Sequence, residues 1–283
     1  MRSTDERFLE IVRMYNGRFQ MDVAPGEDPL EWYLFSGDCG LEKPGMPARG
    51  KKKLYRGGLL MYSGFSREEM AGRLLSGVRD LIVTQAGPFM RARAGGLATD
   101  RGAVLMPSLP DSHLPALVAM LLHSRAGTYV GDEVVLIDPV LRKAHPLPIP
   151  LLVETQDLTY LPDLGREPPR RRRRDERRGR PLLPARQPVS PEELGSRPAD
   201  PSDVRWIAFP EFGPGSPTEV IPITQAEAVF RLTQSLLDAH IWGDRSLILA
   251  RDVVQDAATS RVVIGDLGEG RDALLSWVSS TSE

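Results

Sequence analysis

Two adjacent carboxylates, Asp132 and Glu133, are the residues of this chain best placed for proton chemistry. They stand directly before the apolar run Val134-Val135-Leu136-Ile137 and so open a strand. Side-by-side like charges raise one pKa, and a carboxyl raised that way serves as a general base. The simpler alternative is a turn acid that caps the strand. His113 sits on a loop between two apolar runs and offers a lone acid–base group, with an exposed loop histidine as the alternative. His123 falls at a helix end, where a cation is favoured. His145 and His240 lie far apart and show no metal-ligand spacing, so no metal site is expected. Cys39 lies in a Gly-Asp-Cys-Gly turn. As the single cysteine it excludes an internal disulfide and a Cys-based zinc site, and leaves a lone thiol as its only chemistry.

Apolar patterning supplies the elements that must position these groups. Ala103-Val104-Leu105-Met106, bounded by Pro107, fits a buried strand. A loop follows to His113, and Pro115–Leu122 fits a buried helix with its proline in the first turn. Thr128-Tyr129-Val130 leads to Asp132-Glu133 and the next strand. Strand, loop, helix, turn, strand is the βαβ order of a nucleotide-binding core. Upstream, Phe8, Leu9, Ile11, Val12 and Tyr15 recur at helical spacing, and Leu59–Tyr62 reads as a strand. Ser66-Arg67-Glu68-Glu69 is a capping box for a helix that packs on a sheet. Downstream, Trp206–Phe209 and Glu219–Ile223 read as strands. Thr224-Gln225-Ala226-Glu227 is a second capping box. A helix through Leu247–Val254, a strand at Arg261–Gly265 and a terminal helix at Asp272–Val278 follow.

The chain has 283 residues, 41% hydrophobic and 26% charged, enough for one large domain or two small ones. No apolar run approaches the ~20 residues of a membrane span, and no signal-peptide pattern opens the chain, so a cytoplasmic protein is expected. Charge is unevenly spread. Ten arginines against three acids between Arg166 and Arg186 give +7, leaving −9 for the rest of a chain whose net charge is −2. With few apolar residues and strong self-repulsion, the Arg/Pro-rich stretch 162–202 is expected to be disordered. Arg170–Arg180 can bind nucleic acid or another polyanion. A solvated insertion is the alternative, because no aromatic residue interleaves the arginines to stack bases.

Residues Arg93–Pro150 resemble the core of HPr serine kinase-like proteins, bacterial kinases with a P-loop of their own topology. The residues that carry the likeness are the strand Ala103–Met106, the loop Pro107–Leu114, the helix Pro115–Leu122, the acidic pair Asp132-Glu133 and the Pro-rich stretch His145–Pro150. Val220–Val229 is similar to the segment that leads into the family's last helices. The resemblance spans about 86–153 and 205–278. It implies an α/β fold with a P-loop kinase-like core; an N-terminal α+β region and the compositionally disordered insertion complete the expected organisation. The corresponding boundaries are 1–85, 86–161, 162–202 and 203–283. It also gives Asp132 and Glu133 the family's acidic-pair role, serving metal and the acceptor hydroxyl.

The chain departs from the family at the loop itself. A P-loop reads G-x-x-x-x-G-K-[ST]. In the register set by strand and helix, Ser108 and His113 replace the two glycines, Leu114 the lysine and Pro115 the hydroxyl residue. Ser108, Asp111, Ser112, His113 and Leu114 therefore mark a degenerate cofactor-binding position. The family's histidine before the strand is Arg93 here. The expected protein is an HPr kinase-like pseudokinase that has lost the P-loop, with no cofactor, acting as a binding or regulatory protein for a peptide or protein partner. The alternative is an active ATP-dependent serine kinase with an atypical loop, in which ATP and Mg would bind and Asp132 and Glu133 would be catalytic.

Overall fold

The structure is a computed structural model. It describes residues 2–3, 10, 12, 35–38, 52–56, 59–64, 67–84, 87–108, 113–164 and 186–281. Cys39, Asp111, Ser112 and Arg170–Arg180 lie outside the described residues, as does most of the expected N-terminal helix, of which Glu10 and Val12 are helical. The chain divides into two units, Met1–Ile82 with Ala185–Pro188, and Val83–Pro184 with Val189–Glu283.

The first unit holds a sheet of β1 (Arg2–Ser3), β2 (Phe35–Asp38), β3 (Lys52–Arg56) and β4 (Leu59–Gly64) in that order. Helix α1 (Arg67–Thr84) follows. Its Met70, Ala71 and Leu74 bury against Leu54 of β3, the helix-on-sheet packing that the capping box and apolar spacing foretell.

In the second unit the chain runs through β5 (Met90–Ala92), β6 (Ala94–Thr99), β7 (Gly102–Pro107) and α2 (Leu114–His123). It continues through β8 (Thr128–Gly131), β9 (Val135–Ile137), β10 (Lys143–His145), β11 (Leu151–Glu154) and a 3-10 turn at Asp157–Tyr160. Beyond the arginine segment come β12 (Arg186–Val189), whose first three residues belong to the first unit, then β13 (Ser202–Phe212) and β14 (Glu219–Pro222). The end is α3 (Gln225–Ser235), α4 (Ala239–Trp242), α5 (Asp244–Gln255), β15 (Ala258–Ile264) and α6 (Leu267–Ser280). The fold is mixed α/β. Nine strands form one mixed sheet, with path β5-β9-β10-β13-β7-β6-β8, β15 on β13 and β14 on β15.

The eleven-residue β13 is the spine, parallel to both β7 and β15. Strand alternation sends its side chains to two cores. Trp206 and Ala208 face the cluster that holds α2 and Leu267 and Leu274 of α6. Ile207 and Phe209 face the cluster that holds Leu232 of α3 and Leu249 and Val253 of α5. The sheet is thus covered on both faces. Helix α2 is apolar all round and buried from Leu114 to Leu122, as an unbroken apolar helix must be.

β8 does not lie beside β7. It pairs antiparallel to β6, which pairs antiparallel to β7, so the strands flanking α2 are parallel with one strand between them. The expected insertion reaches too far downstream. Residues 186–202 carry β12 and a 3-10 turn at Glu192–Leu194, with Val189 and Leu194 buried in the α2 core. These few apolar residues find their partners in distant elements, which local composition does not register.

Candidate functional site

Strands β7, β13 and β15 run parallel; β13 and β15 end level at Phe212 and Ile264, a little beyond the end of β7 at Pro107. Beyond their carboxyl ends lie His113, Phe212 and Asp266, at the start of α2, the end of β13 and the start of α6. In open α/β sheets this is where ligands bind, because strand ends and helix amino ends leave backbone groups free there.

His113 is the N-cap residue of α2, yet its side chain makes no capping bond. The imidazole turns to Asp157 instead, Nδ1 lying 2.9 Å from the carboxylate Oδ2. The ring is edge-on to Phe212, with centroids 5.7 Å apart. Asp157 opens the 3-10 turn that follows β11 and is buried, its side chain 6% exposed against 34% for His113. Glu154 ends β11 and accepts a hydrogen bond from the Gln156 amide at 3.0 Å. One donor atom from each of His113, Glu154 and Asp157 falls within 4.8 Å of the other two.

The same mouth holds a second carboxylate pairing. Asp266 caps α6, accepting from the amides of Gly268 and Glu269 through Oδ1. The Tyr160 hydroxyl donates to its Oδ2 at 3.2 Å. Burial, then the Asp266 charge and hydrogen bond, then Asp157, push the Tyr160 hydroxyl above its usual range. Among the described residues no lysine or arginine makes an ion pair with Glu154, Asp157 or Asp266.

The residues singled out in the sequence are placed as follows. Ser108 is buried at the end of β7, its amide donating to the Arg93 carbonyl at 3.2 Å. Leu114 and Pro115 are both buried in the helix. Asp132 is buried too. Its carboxylate lies 3.1 Å from the Tyr129 hydroxyl and accepts the Leu152 amide at 3.1 Å, which ties β8 to β11. Glu133 is half-buried, and its carbonyl accepts the Ala94 amide. His123 ends α2 and faces Asp163 at 3.3 Å.

Sequence reasoning found His113 but not its companions. Glu154 and Asp157 reach it because β11 returns beneath α2, and 44 residues separate the bonded pair. A carboxylate pair three apart at a strand end was the available signal. Compared with known proteins, the chain matches no family model, no curated protein and no solved structure.

Proposed function

We propose that the chain is an HPr kinase-like protein that has lost nucleotide chemistry and serves as a binding or regulatory protein for a peptide or protein partner. The observation that carries this reading is the charge at the β7–α2 junction. A phosphate cradle there needs backbone donors, a lysine and a hydroxyl for magnesium. This junction offers a buried leucine, a proline without an N–H, and a histidine bonded to a buried carboxylate. Asp157 and Glu154 would repel a triphosphate at the helix end that ought to attract it. These residues do not fit ATP and its magnesium.

The partner comes from the resemblance, and one surface suits it. Phe230 on α3, Ile241 on α4, and Leu247 and Ile248 on α5 are large apolar side chains left exposed on helices that pack together. Large apolar side chains exposed on neighbouring helices are candidates for contact with a partner. Titration calorimetry of the full chain with ATP, with and without Mg²⁺, tests the nucleotide part. No binding heat at millimolar ATP is the expected result. Phosphate transfer from ATP that Glu133→Gln abolishes would replace this reading with the active kinase.

A further inference from the structure

We propose that His113, Glu154 and Asp157 form a binding site for a first-row divalent transition-metal ion, with zinc the preferred occupant. Two of its three ligands, Glu154 and Asp157, belong to neither the P-loop pattern nor the acidic pair; the third, His113, stands at the degenerate loop.

The donor set selects the metal class. One imidazole nitrogen with two carboxylate oxygens suits Zn²⁺ and its neighbours in the first row. Mg²⁺ and Ca²⁺ prefer oxygen alone. The geometry is close to what a metal needs. Ligand atoms held at about 2.0–2.2 Å from an ion stand roughly 3–3.5 Å apart. The three donors here lie within 4.8 Å of each other, and the His113–Asp157 edge is already 2.9 Å. Closing the set requires a small movement of the Glu154 side chain at the end of β11.

Asp157 adds an independent reason. It is buried, and its only hydrogen bond among the described residues is to His113 through Oδ2. The other oxygen, Oδ1, has no protein partner there and stays open to solvent and to the site. A buried carboxylate is costly unless paired or bound to a cation, and it carries about four acceptor positions. Among the described residues no lysine or arginine pairs with it, and a bound cation would supply a counter-charge. Gln156 holds the Glu154 carboxylate at 3.0 Å, the kind of outer contact that orients a ligand.

Three protein ligands leave a position open. His113 is about one-third exposed and Glu154 half-buried, so that position faces solvent. It takes water, as in zinc sites with three protein ligands. The place is also right, at the ends of the parallel strands where the fold leaves room for a ligand.

The test is calorimetric titration of the full metal-free chain with ZnCl₂, repeated with MgCl₂ and CaCl₂. One equivalent of Zn²⁺ should bind, far more tightly than Mg²⁺ or Ca²⁺. His113→Gln, Glu154→Gln and Asp157→Asn should each weaken zinc by roughly tenfold or more. His123→Gln, on the other helix end, should leave it unchanged. His113→Gln alters a half-exposed side chain, so it stays informative if the buried Asp157→Asn fails to fold. Co²⁺ in place of zinc should give visible absorption bands that His113→Gln removes. Absence of stoichiometric zinc binding, equal affinity for Mg²⁺, or zinc binding indifferent to His113→Gln would each overturn the site.

Discussion

Gly95 of β6 and Val118 of α2 press together so closely that a Cβ on Gly95 would lie 2.6 Å from the valine Cγ2 and 3.1 Å from Leu114. The helix that carries His113 rests directly on the strand backbone at this glycine. Gly95→Ala should therefore force α2 outward, with a cost of about 1–3 kcal/mol for overpacking. A thermal melt reads this, and an unchanged midpoint would mean the helix has slack there. Because α2 moves as a unit, the His113–Asp157 contact should loosen in the same variant.

Leu114, which the resemblance sets at the lysine position of a P-loop, is 2% exposed. Leu114→Lys, alone or with Ser108→Gly, His113→Gly and Pro115→Ser, should not yield an ATP site. It should destabilise the protein by about 3 kcal/mol or more, through lost burial and a buried charge. Chemical denaturation measures the loss. Recovered ATP binding in the quadruple variant would mean that the loop still reaches phosphate.

Arg91 and Asp238 form a deep ion pair, Nε to Oδ2 at 3.0 Å, with Asp238 2% exposed. Asp238 also accepts the Trp242 indole at 3.0 Å, and Arg91 donates to the Val83 carbonyl at 2.7 Å. Removing one partner leaves a buried charge. Asp238→Ala should cost about 3–5 kcal/mol, seen as a lower urea midpoint with unchanged slope. Arg91→Met combined with Asp238→Leu should recover much of that loss, and a double variant as weak as the single would argue against this account.

Tyr160, although 39% exposed, should add a small share to any alkaline fall in stability. Its hydroxyl pKa is raised above the ordinary value of about 10, first by burial and then by Asp266. A raised folded pKa contributes stability that is present below the unfolded pKa and lost as pH climbs through the folded one. Melting temperature should therefore fall above pH ~10, and Tyr160→Phe should flatten that fall. Parallel alkaline limbs in the two proteins would show that other groups govern it.

Much of the scaffold was legible because local chemistry decides it. Thr224 caps α3 by accepting the Glu227 amide at 3.2 Å, as the capping box requires. The buried runs at 103–106 and 115–122 became β7 and α2. What escaped notice depends on distant partners. β6 carries two adjacent glycines and reads as a lead-in, yet every residue from Ala94 to Ala98 is buried between β7 and β8. α4 is a single turn, too short for a periodic signal. Asp132 has the composition of a base, but the Leu152 amide and the Tyr129 hydroxyl engage it, contacts set by the return of β11. The His113 cluster was hidden for the same reason.

The parallel pairing of β13 with β7 joins Val204 to Ala103, residues roughly a hundred positions apart. During synthesis α2 leaves the ribosome long before the strand that completes its sheet. At about 5–20 residues per second the interval is on the order of ten seconds. For that time a wholly apolar helix and the open edge of β7 lack their lasting neighbours. The nascent chain is then most open to misassociation and to chaperones, and a product truncated before Ser202 would be left permanently in that condition.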